Sequence, residues 1–317
     1  MPRAAAFLLS CRKFHCFDNR GLWMRAASRP RVPCRLLLCR RTPARPMAHV
    51  SPPSASPSVA PPPPDPAFQR MREHQATAAK PSFAAECRTL LALSRYAVLS
   101  TISSATDTPG FPSGSVVGYA DDGTGRPVFS LSTMSGHTRD VAKDGRGSLT
   151  VTHPGFEGAA DARVSFTGTM AKVPASEAEA ARLAYQRTHP DAFWADFGDF
   201  SLWRLEPLAI RLVGGFARAG SVPPAVYFAA RPDPVAALAP PLLAAANAAG
   251  HEMLAAMVCK SIGTPLAVSR VALVSADALG VDAAVSIEEG DYKLRLPWPG
   301  GAVDSQEGME RALRAMM

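Results

Sequence analysis

Long apolar runs are missing from this sequence of 317 residues. A membrane-spanning helix needs about 18 or more consecutive apolar residues, so the sequence predicts no membrane span. Acidic residues are scarce at the N-terminus, where residues 1–45 hold ten Arg and one Lys against a single acid, Asp18. The rest of the chain carries 23 basic and 26 acidic residues. The net charge of +7 therefore comes from the N-terminal segment alone.

An Arg-rich, acid-poor start is typical of a mitochondrial or plastid transit peptide. The apolar run AAAFLLS is too short for a secretory signal, and charged residues follow it at once. The stretch SPPSASPSVAPPPPDP, from Ser51 to Pro66, is expected to form extended, solvated backbone. We predict a transit peptide over 1–47 and a Pro/Ser-rich linker over 48–81. A basic arm for nucleic acid is the alternative, but no aromatic or Lys-rich pattern accompanies the arginines.

Cysteines and catalytic motifs are also few. Four of the six cysteines lie in the predicted transit peptide, and Cys87 and Cys259 remain. Two thiols so far apart predict neither a disulfide framework nor a zinc site. The sequence has no GxGxxG, Walker A, GxSxG, HExxH or CxxC motif. No catalytic residue can be assigned, and the near-neutral body without a basic, aromatic face predicts no nucleic-acid partner.

Short strand patterns dominate the region after Phe83. A helical spacing over Phe83–Tyr96 is followed by runs rich in Val, Phe and Tyr, two of which flank a hairpin turn signal at 121–125. Many short strands in hairpin order, with few and brief helices, predict a β-barrel over 82–222. Its expected strands are 97–102, 114–120, 127–132, 148–152, 163–170 and a pair over 200–212 broken at Pro207; a polar helix precedes 148.

The remaining elements form a second pattern. An Ala-rich helix is expected over Leu242–Lys260, followed by strands at 267–275, 281–287 and 292–296. A closing helix over 304–317 has Asp304 and Glu307 in capping-box spacing. We predict a small α+β domain over 234–317. The same spacing, with Ser176 and Glu179, is expected to open a barrel helix over 176–187.

Several stretches resemble a known family. FPSGSVVGYADDGTGRPVFSLSTMSGHTRD, GSLTV, and GDFSLWRLEP with GGFARAG resemble the FMN-binding split barrels, the relatives of pyridoxamine 5′-phosphate oxidase and of bacterial split-barrel haem-degrading proteins. ALVSADALGVDAAV and YKLRLPWP resemble the small C-terminal domain of haem-utilisation members. The resemblance implies an α+β fold: an FMN-binding-type split β-barrel, then a helix–three-stranded-meander–helix domain. It also implies a homodimer with a cleft at the subunit interface that holds FMN or haem, or neither of them.

The predicted transit peptide makes the chain similar to the plastid branch of this family. That branch includes a protein of tetrapyrrole synthesis that binds glutamyl-tRNA reductase. The resemblance therefore implies the chloroplast stroma, whereas composition alone leaves the mitochondrion as an alternative.

A polar turn into a short helix is the first candidate site. A helix N-terminus offers unpaired N–H groups and the positive end of a dipole, which suit a phosphate. In flavin-binding members this segment holds the FMN phosphate; an ordinary capped helix without a ligand is the alternative. Relatives usually have Asn where this chain has Asp140, whose carboxylate would weaken FMN binding unless it points away. The candidate residues are Ser132, Thr133, Ser135, His137, Thr138 and Arg139.

Two further segments are implied by the resemblance. In flavin-binding members the strand start at Ser113, Gly114 and Ser115 runs along the edge of the isoalloxazine, where the glycine permits close approach. Trp203 and Arg204 are candidates to line the same cleft, although a Trp here also suits the barrel core or a dimer contact. Phe216 and Arg218 follow the family's glycine-rich turn.

His251 is a candidate ligand of haem iron. Haem-degrading relatives carry paired histidines in this helix; here the first is replaced within LLAAAN and the spacing differs. A neutral imidazole is a sound iron ligand. A structural or solvent-facing histidine is the alternative.

Three functions remain open. The first, favoured by Asp140 and the altered histidine pattern, is a regulatory protein that binds haem or FMN in tetrapyrrole metabolism. It would bind an enzyme such as glutamyl-tRNA reductase. The second is a haem-degrading oxygenase, and the third is an FMN-dependent oxidoreductase.

Overall fold

Alternation of apolar and polar residues, interrupted by Gly-containing turns, builds two antiparallel sheets in the computed structural model of this chain. The structure describes residues 65–159, 161–214 and 218–317. The predicted transit peptide over 1–47 and the first part of the linker lie outside these residues.

The elements follow one another in hairpin order. The α-helices of the described residues are α1 (Pro66–Thr77), α2 (Phe83–Leu93), α3 (Gly136–Lys143), α4 (Ala178–Thr188), α5 (Pro224–Ala229), α6 (Ala239–Asn247), α7 (His251–Ile262) and α8 (Gln306–Met316). The strands are β1 (Tyr96–Ile102), β2 (Pro112–Gly118), β3 (Ala120–Asp121), β4 (Pro127–Ser132), β5 (Arg146–Thr152), β6 (Arg163–Lys172), β7 (Phe200–Val213), β8 (Ala219–Val222), β9 (Arg270–Asp277), β10 (Gly280–Ile287) and β11 (Gly290–Pro297).

The larger sheet is a curled, antiparallel half-barrel. Its strand order is β2-β1-β5-β6-β7-β4-β3, with β8 paired to β7. β2 also lies against β4, although no ladder joins these two strands in the described residues. We call this line between β2 and β4 the seam. The predicted α+β class and split barrel are confirmed.

The barrel core comes from the inner face of these strands. Leu99, Phe129, Leu149, Phe166 and Leu205 are fully buried and form one cluster, which α2 covers. Burying each such side chain contributes about 1.5–3 kcal/mol. The outer face stays open along β1 and β2, where alternate residues are exposed. The seam is therefore a line along which the buried interior of the barrel lies next to its exposed outer face.

The smaller sheet is the predicted meander, in the order β11-β10-β9. Its apolar residues form a separate core with α6, α7 and α8. The helix α1 belongs to the same core through Met71, within the segment expected to be a linker. Sequence analysis missed α1 because only Phe68 and Met71 among its 12 residues are large and apolar. The division into domains at 82–222 and 234–317 stays a prediction.

Four local expectations are wrong. The helix expected over Leu242–Lys260 is two helices, because the chain turns at Gly250, whose φ of 96° favours glycine. Pro207 does not split its strand; a bulge at Leu208 of β7, opposite Thr167 and Gly168, absorbs the irregularity. Ser176 and Glu179 form no capping box, since a 3-10 turn precedes α4.

The second predicted capping box, at the last helix, is also wrong. Ser305 rather than Asp304 caps α8, with its hydroxyl accepting the amide of Gly308.

Within the described part of the chain, no single helix is long and apolar enough to cross a membrane. The segments Ala236–Asn247 and His251–Ile262 meet the length and composition criteria only as a pair, and they are bent by 118°.

Candidate functional site

The turn from β4 into α3 is built as the sequence predicts. Ser132 ends β4, and its hydroxyl accepts the amide of Met134 at 3.1 Å. Ser135 is the N-cap of α3, and its side chain makes no capping hydrogen bond. Thr133 is exposed and Ser135 half-buried. The first turn of α3 thus presents amides and hydroxyls suited to an anion.

A carboxylate lies at the edge of this turn. The Ser132 hydroxyl donates to Asp199 Oδ2 at 2.5 Å, and the Thr133 amide donates to the Asp199 carbonyl at 2.9 Å. Asp199 directly precedes β7, so the turn is anchored to the neighbouring strand. Asp199 was not predicted as part of the site. Its charge makes the Ser132 end of the turn less favourable for a phosphate.

Asp140 points into the protein rather than toward the turn. Its carboxylate accepts hydrogen bonds from the Ser104 amide and hydroxyl, both at 2.7 Å, and from the Thr101 hydroxyl at 2.8 Å. Burial alone would raise the pKa of Asp140, but these hydrogen bonds and Arg139 hold it below its usual value. Asp140 is therefore a buried anion that fastens α3 to the end of β1.

The start of β2 lies at the same place. The Thr101 hydroxyl that reaches Asp140 is also 3.4 Å from the Ser113 carbonyl oxygen. Ser113 and Ser115 are half-buried, and Gly114 between them is exposed. A Cβ on Gly114 would meet only Val98, at 3.7 Å, so the surface there is open. The structure thus brings the predicted β2 residues and α3 together beside the seam.

The next three residues of α3 differ in surroundings. His137 is half-buried; burial lowers the pKa of its imidazole, against an opposing effect of the Asp140 charge. The imidazole is therefore mainly neutral at pH 7. Thr138 is buried, and its hydroxyl has no hydrogen-bond partner among the described residues. Arg139 is exposed and donates to the Met134 carbonyl at 2.8 Å.

Exposed apolar side chains border this site. Phe111 is 64% exposed, Val116 76% and Met134 79%. The Phe111 carbonyl accepts the Ser103 amide at 2.8 Å, beside the Ser104 that binds Asp140. We call Phe111, Val116 and Met134 the apolar rim. Sequence analysis missed it, although Val116 alternates with the buried Val117 and its outward position follows from that period.

Trp203 and Arg204 are not part of this arrangement. Trp203 is 5% exposed and lies in the barrel core. Arg204 forms ion pairs with Glu177 at 2.6 Å and Asp122 at 3.3 Å, in a charged cleft of about 400 Å³ beside α4. The core alternative for Trp203 is the one observed.

The later candidates also lie elsewhere. Arg218 pairs with Glu86 of α2 and donates to the Pro81 carbonyl at 2.9 Å. Phe216 is outside the described residues. His251 is exposed at the first position of α7, in the smaller core's set of helices. Over the ranges that the structure describes, no group of three or more His, Cys, Asp or Glu side chains forms a metal site.

Comparison with known proteins agrees with this fold. Residues 79–229 match the family model described as CREG, beta-barrel. The chloroplastic "Non-canonical heme oxygenase HOZ" of Arabidopsis thaliana is 34% identical over 244 residues, which are 76% of this chain and 74% of the relative. The solved structure of a haem-binding protein from Mycobacterium smegmatis is 31% identical and has a TM-score of 0.58, covering 75% of this chain and 97% of the other.

The curled antiparallel sheet and its seam define a split-barrel protein. The chain belongs to the split-barrel family of FMN- and haem-binding proteins.

The residues at the seam fit a haem. Haem offers a flat apolar macrocycle, an iron atom and two carboxylates. The apolar rim can take the ring, neutral imidazole can take the iron, and Arg139 with the open amides of α3 can take a carboxylate. Met134 lies beside Ser132 and Arg139, which its backbone contacts, so apolar and polar groups meet at this turn.

Proposed function

We propose that this chain is a plastid haem-binding protein of the split-barrel family and that it degrades haem oxidatively. The observation that carries the proposal is the exposed apolar side chain of Met134 directly beside the Ser132 hydroxyl and the Arg139 cation at the turn. This pattern suits an amphiphilic planar ligand. The likeness to the Arabidopsis protein supports both the reaction and the chloroplast. The Arg-rich N-terminal segment supports import into an organelle.

Haem is favoured over FMN by the charges at the turn. An FMN phosphate at Ser132 would meet the Asp199 carboxylate, which already occupies that hydroxyl at 2.5 Å. The two carboxylates of haem lie at the edge of the ring. One of them can pair with Arg139, the exposed cation of α3. Like charges at close range cost free energy, so the turn is a poorer site for a dianion than for a single carboxylate.

The chain's own residues would bind and orient the ligand. Phe111, Val116 and Met134 would shield the ring from water, while Arg139, Thr133 and Ser135 would hold its carboxylates. Bound haem supplies iron that activates O₂ with electrons from an external reductant, which opens the macrocycle and frees the metal. Asp140, already bonded to Thr101 and Ser104, would keep α3 in place during the reaction.

A regulatory role is the second candidate, and the open outer face of the large sheet favours it. Tyr96, Val98 and Leu208 are exposed there. Exposed apolar patches mark protein contacts, so this face suits a protein partner. A second copy of this chain would cover it in the homodimer that we expect. An enzyme of tetrapyrrole synthesis, such as glutamyl-tRNA reductase, is the further partner in this case. An FMN-dependent oxidoreductase is the third candidate.

Haemin titration of the protein from Ser51 onwards tests the proposal. We expect a Soret band that stays with the protein on gel filtration. Adding ascorbate in air should bleach the band and release iron to a ferrous chelator, whereas the same sample under argon should keep its band. A retained band in air would indicate a haem-binding regulator instead. Retained flavin bands without haem binding would favour the FMN enzyme, and the absence of haem binding would exclude the first proposal.

A further inference from the structure

The described residues contain five histidines, and their ring nitrogens differ in availability. Nδ1 of His74 lies 3.0 Å from the Gln75 amide nitrogen, and Nδ1 of His153 accepts the Gly155 amide at 3.1 Å. Nε2 of His189 is 2.9 Å from the Tyr119 carbonyl oxygen. In the described structure no hydrogen bond engages the rings of His137 and His251. These two are the histidines with both ring nitrogens without a hydrogen bond in the described residues.

The two free histidines have different surroundings. His251 is exposed at the start of α7, next to the exposed Glu252 and Met253. No described hydrogen bond, ion pair or ring contact joins it to the seam. A ligand on a water-facing surface loses side-chain entropy on binding and is not shielded from solvent. His251 therefore lacks the surroundings that would hold a haem iron within one protomer.

His137 is held in place by its neighbours on α3. Thr138 and Val141 are buried against the barrel, and Asp140 is fixed by Thr101 and Ser104. These contacts fix the helix that carries the imidazole. A ligand on a rigid element is pre-organised, so that binding orders little that was free before.

The protonation state of His137 suits coordination. A metal binds only the neutral ring, so a raised pKa would oppose it. Burial lowers the pKa of the His137 imidazole, and the Asp140 charge opposes this effect. A neutral imidazole carries one proton on its two nitrogens, so the other nitrogen is open to a metal.

We propose that His137 is the protein ligand of the haem iron, with the apolar rim against the ring and Arg139 at a carboxylate. The inference rests on the proposed binding of haem, and it names the side chain that binds the metal. It makes the barrel, rather than the C-terminal helices, the part of the chain that determines the iron's electronic state. The following residue of α3, Thr138, has a buried hydroxyl without a hydrogen-bond partner among the described residues.

Absorption and electron paramagnetic resonance spectra of ferric haem complexes test this assignment. His137→Ala should weaken haemin binding at least about tenfold and shift the Soret band, because the loss of a metal's supporting residues alone costs that much. Adding imidazole should restore the parent spectrum, since the free ligand fills the space that the substitution leaves. His137→Gln is a second variant of similar size, should the alanine protein fold poorly.

His153→Ala is the matched control. His153 is also half-buried, and burial also lowers its pKa, but its Nδ1 is already used by Gly155. Its spectra should equal those of the parent. A parent-like spectrum for both His137 variants would overturn the assignment, and a spectrum lost only in His251→Ala would move the ligand to α7. If the parent itself binds no haemin, the proposed function fails first.

Discussion

Ser132 and Asp199 are joined by a 2.5 Å hydrogen bond, which ties the end of β4 to the start of β7. The two residues are 67 positions apart in sequence. Since an ionised carboxylate only accepts hydrogen bonds, Ser132 donates, and its proton is not available to an incoming anion. The turn resembles an anion-binding site, but the carboxylate that anchors it repels an anion.

Removing the charge of Asp199 should improve anion binding at this turn. Asp199→Asn keeps an acceptor for Ser132 and deletes a negative charge from a partly exposed site. We expect FMN to bind about fivefold more tightly, which corresponds to about 1 kcal/mol, a small part of the Coulomb energy at short range. Quenching of FMN fluorescence measures it. Asp191→Asn, an exposed acid in the same loop, is the control, and equal affinities for both variants would refute the expectation.

Asp140 should support stability in an acid-dependent way. Its pKa lies below the ordinary value of 3.8 in the folded protein because hydrogen bonds and Arg139 outweigh burial. The carboxylate therefore stabilises the fold above that ordinary value, and the contribution is lost as pH falls through the lower, folded pKa. Asp140→Asn should lower the free energy of unfolding by about 2 kcal/mol at pH 7, as for hydrogen bonds to a charged group.

Urea unfolding at pH 7 and near pH 3 checks this, and the deficit should shrink at the lower pH. Asp107→Asn, an exposed acid in the loop before β2, should change neither value. A deficit that is independent of pH would show that the charge of Asp140 is not the cause.

Gly168 should tolerate no side chain. It lies at the bulge opposite Pro207, where a Cβ would overlap the Glu206 carbonyl oxygen in the neighbouring strand. Because backbone rather than a flexible side chain is in the way, Gly168→Ala should cost about 3 kcal/mol or more. Thermal unfolding measures the loss. Gly158→Ala, where a Cβ meets nothing within 4 Å, should unfold near the parent's temperature; similar losses in both would contradict the packing argument.

Gln75 should protect the edge of the smaller sheet. Its amide nitrogen donates to the Arg295 carbonyl at 2.9 Å, and its oxygen accepts the Arg295 amide at 2.7 Å. Gln75→Ala leaves both backbone groups of β11 without these partners, at a cost of about 1–2 kcal/mol. Hydrogen exchange of a peptide covering 290–297 should become faster. Gln69→Ala, which removes only an exposed contact to Glu73, should leave the exchange unchanged.

Much of the fold could be predicted because its signals are local. The hairpin turn at 121–125, the meander and the polar helix before β5 all follow from period and turn chemistry within a few residues. The helix α1 was missed because its apolar face is short. That face is buried only by residues more than 150 positions later in the sequence, such as Leu254 and Met309. The break at Gly250 depends on a single backbone angle.

The site was predictable as a chain segment but not as a set of charges. Residues 132–139 could be found because they are contiguous. The inward turn of Asp140 depends on Thr101, 39 positions away, and the Asp199 contact depends on sheet register. The ion pairs of Arg204 could not be predicted for the same reason, since its partners Glu177 and Asp122 come from distant segments.

The core shared by α1 and α8 has a consequence for the order of folding. Met71 and Met316 lie in the same cluster, so the smaller core needs both ends of the described chain. During synthesis, or during threading through a pore from the N-terminus, α1 emerges long before its partners. Contacts between distant segments form slowly, whereas the barrel between them is complete well before the last helix arrives. We expect the barrel to fold first and α1 to wait, uncovered, until the final residues of the chain reach it.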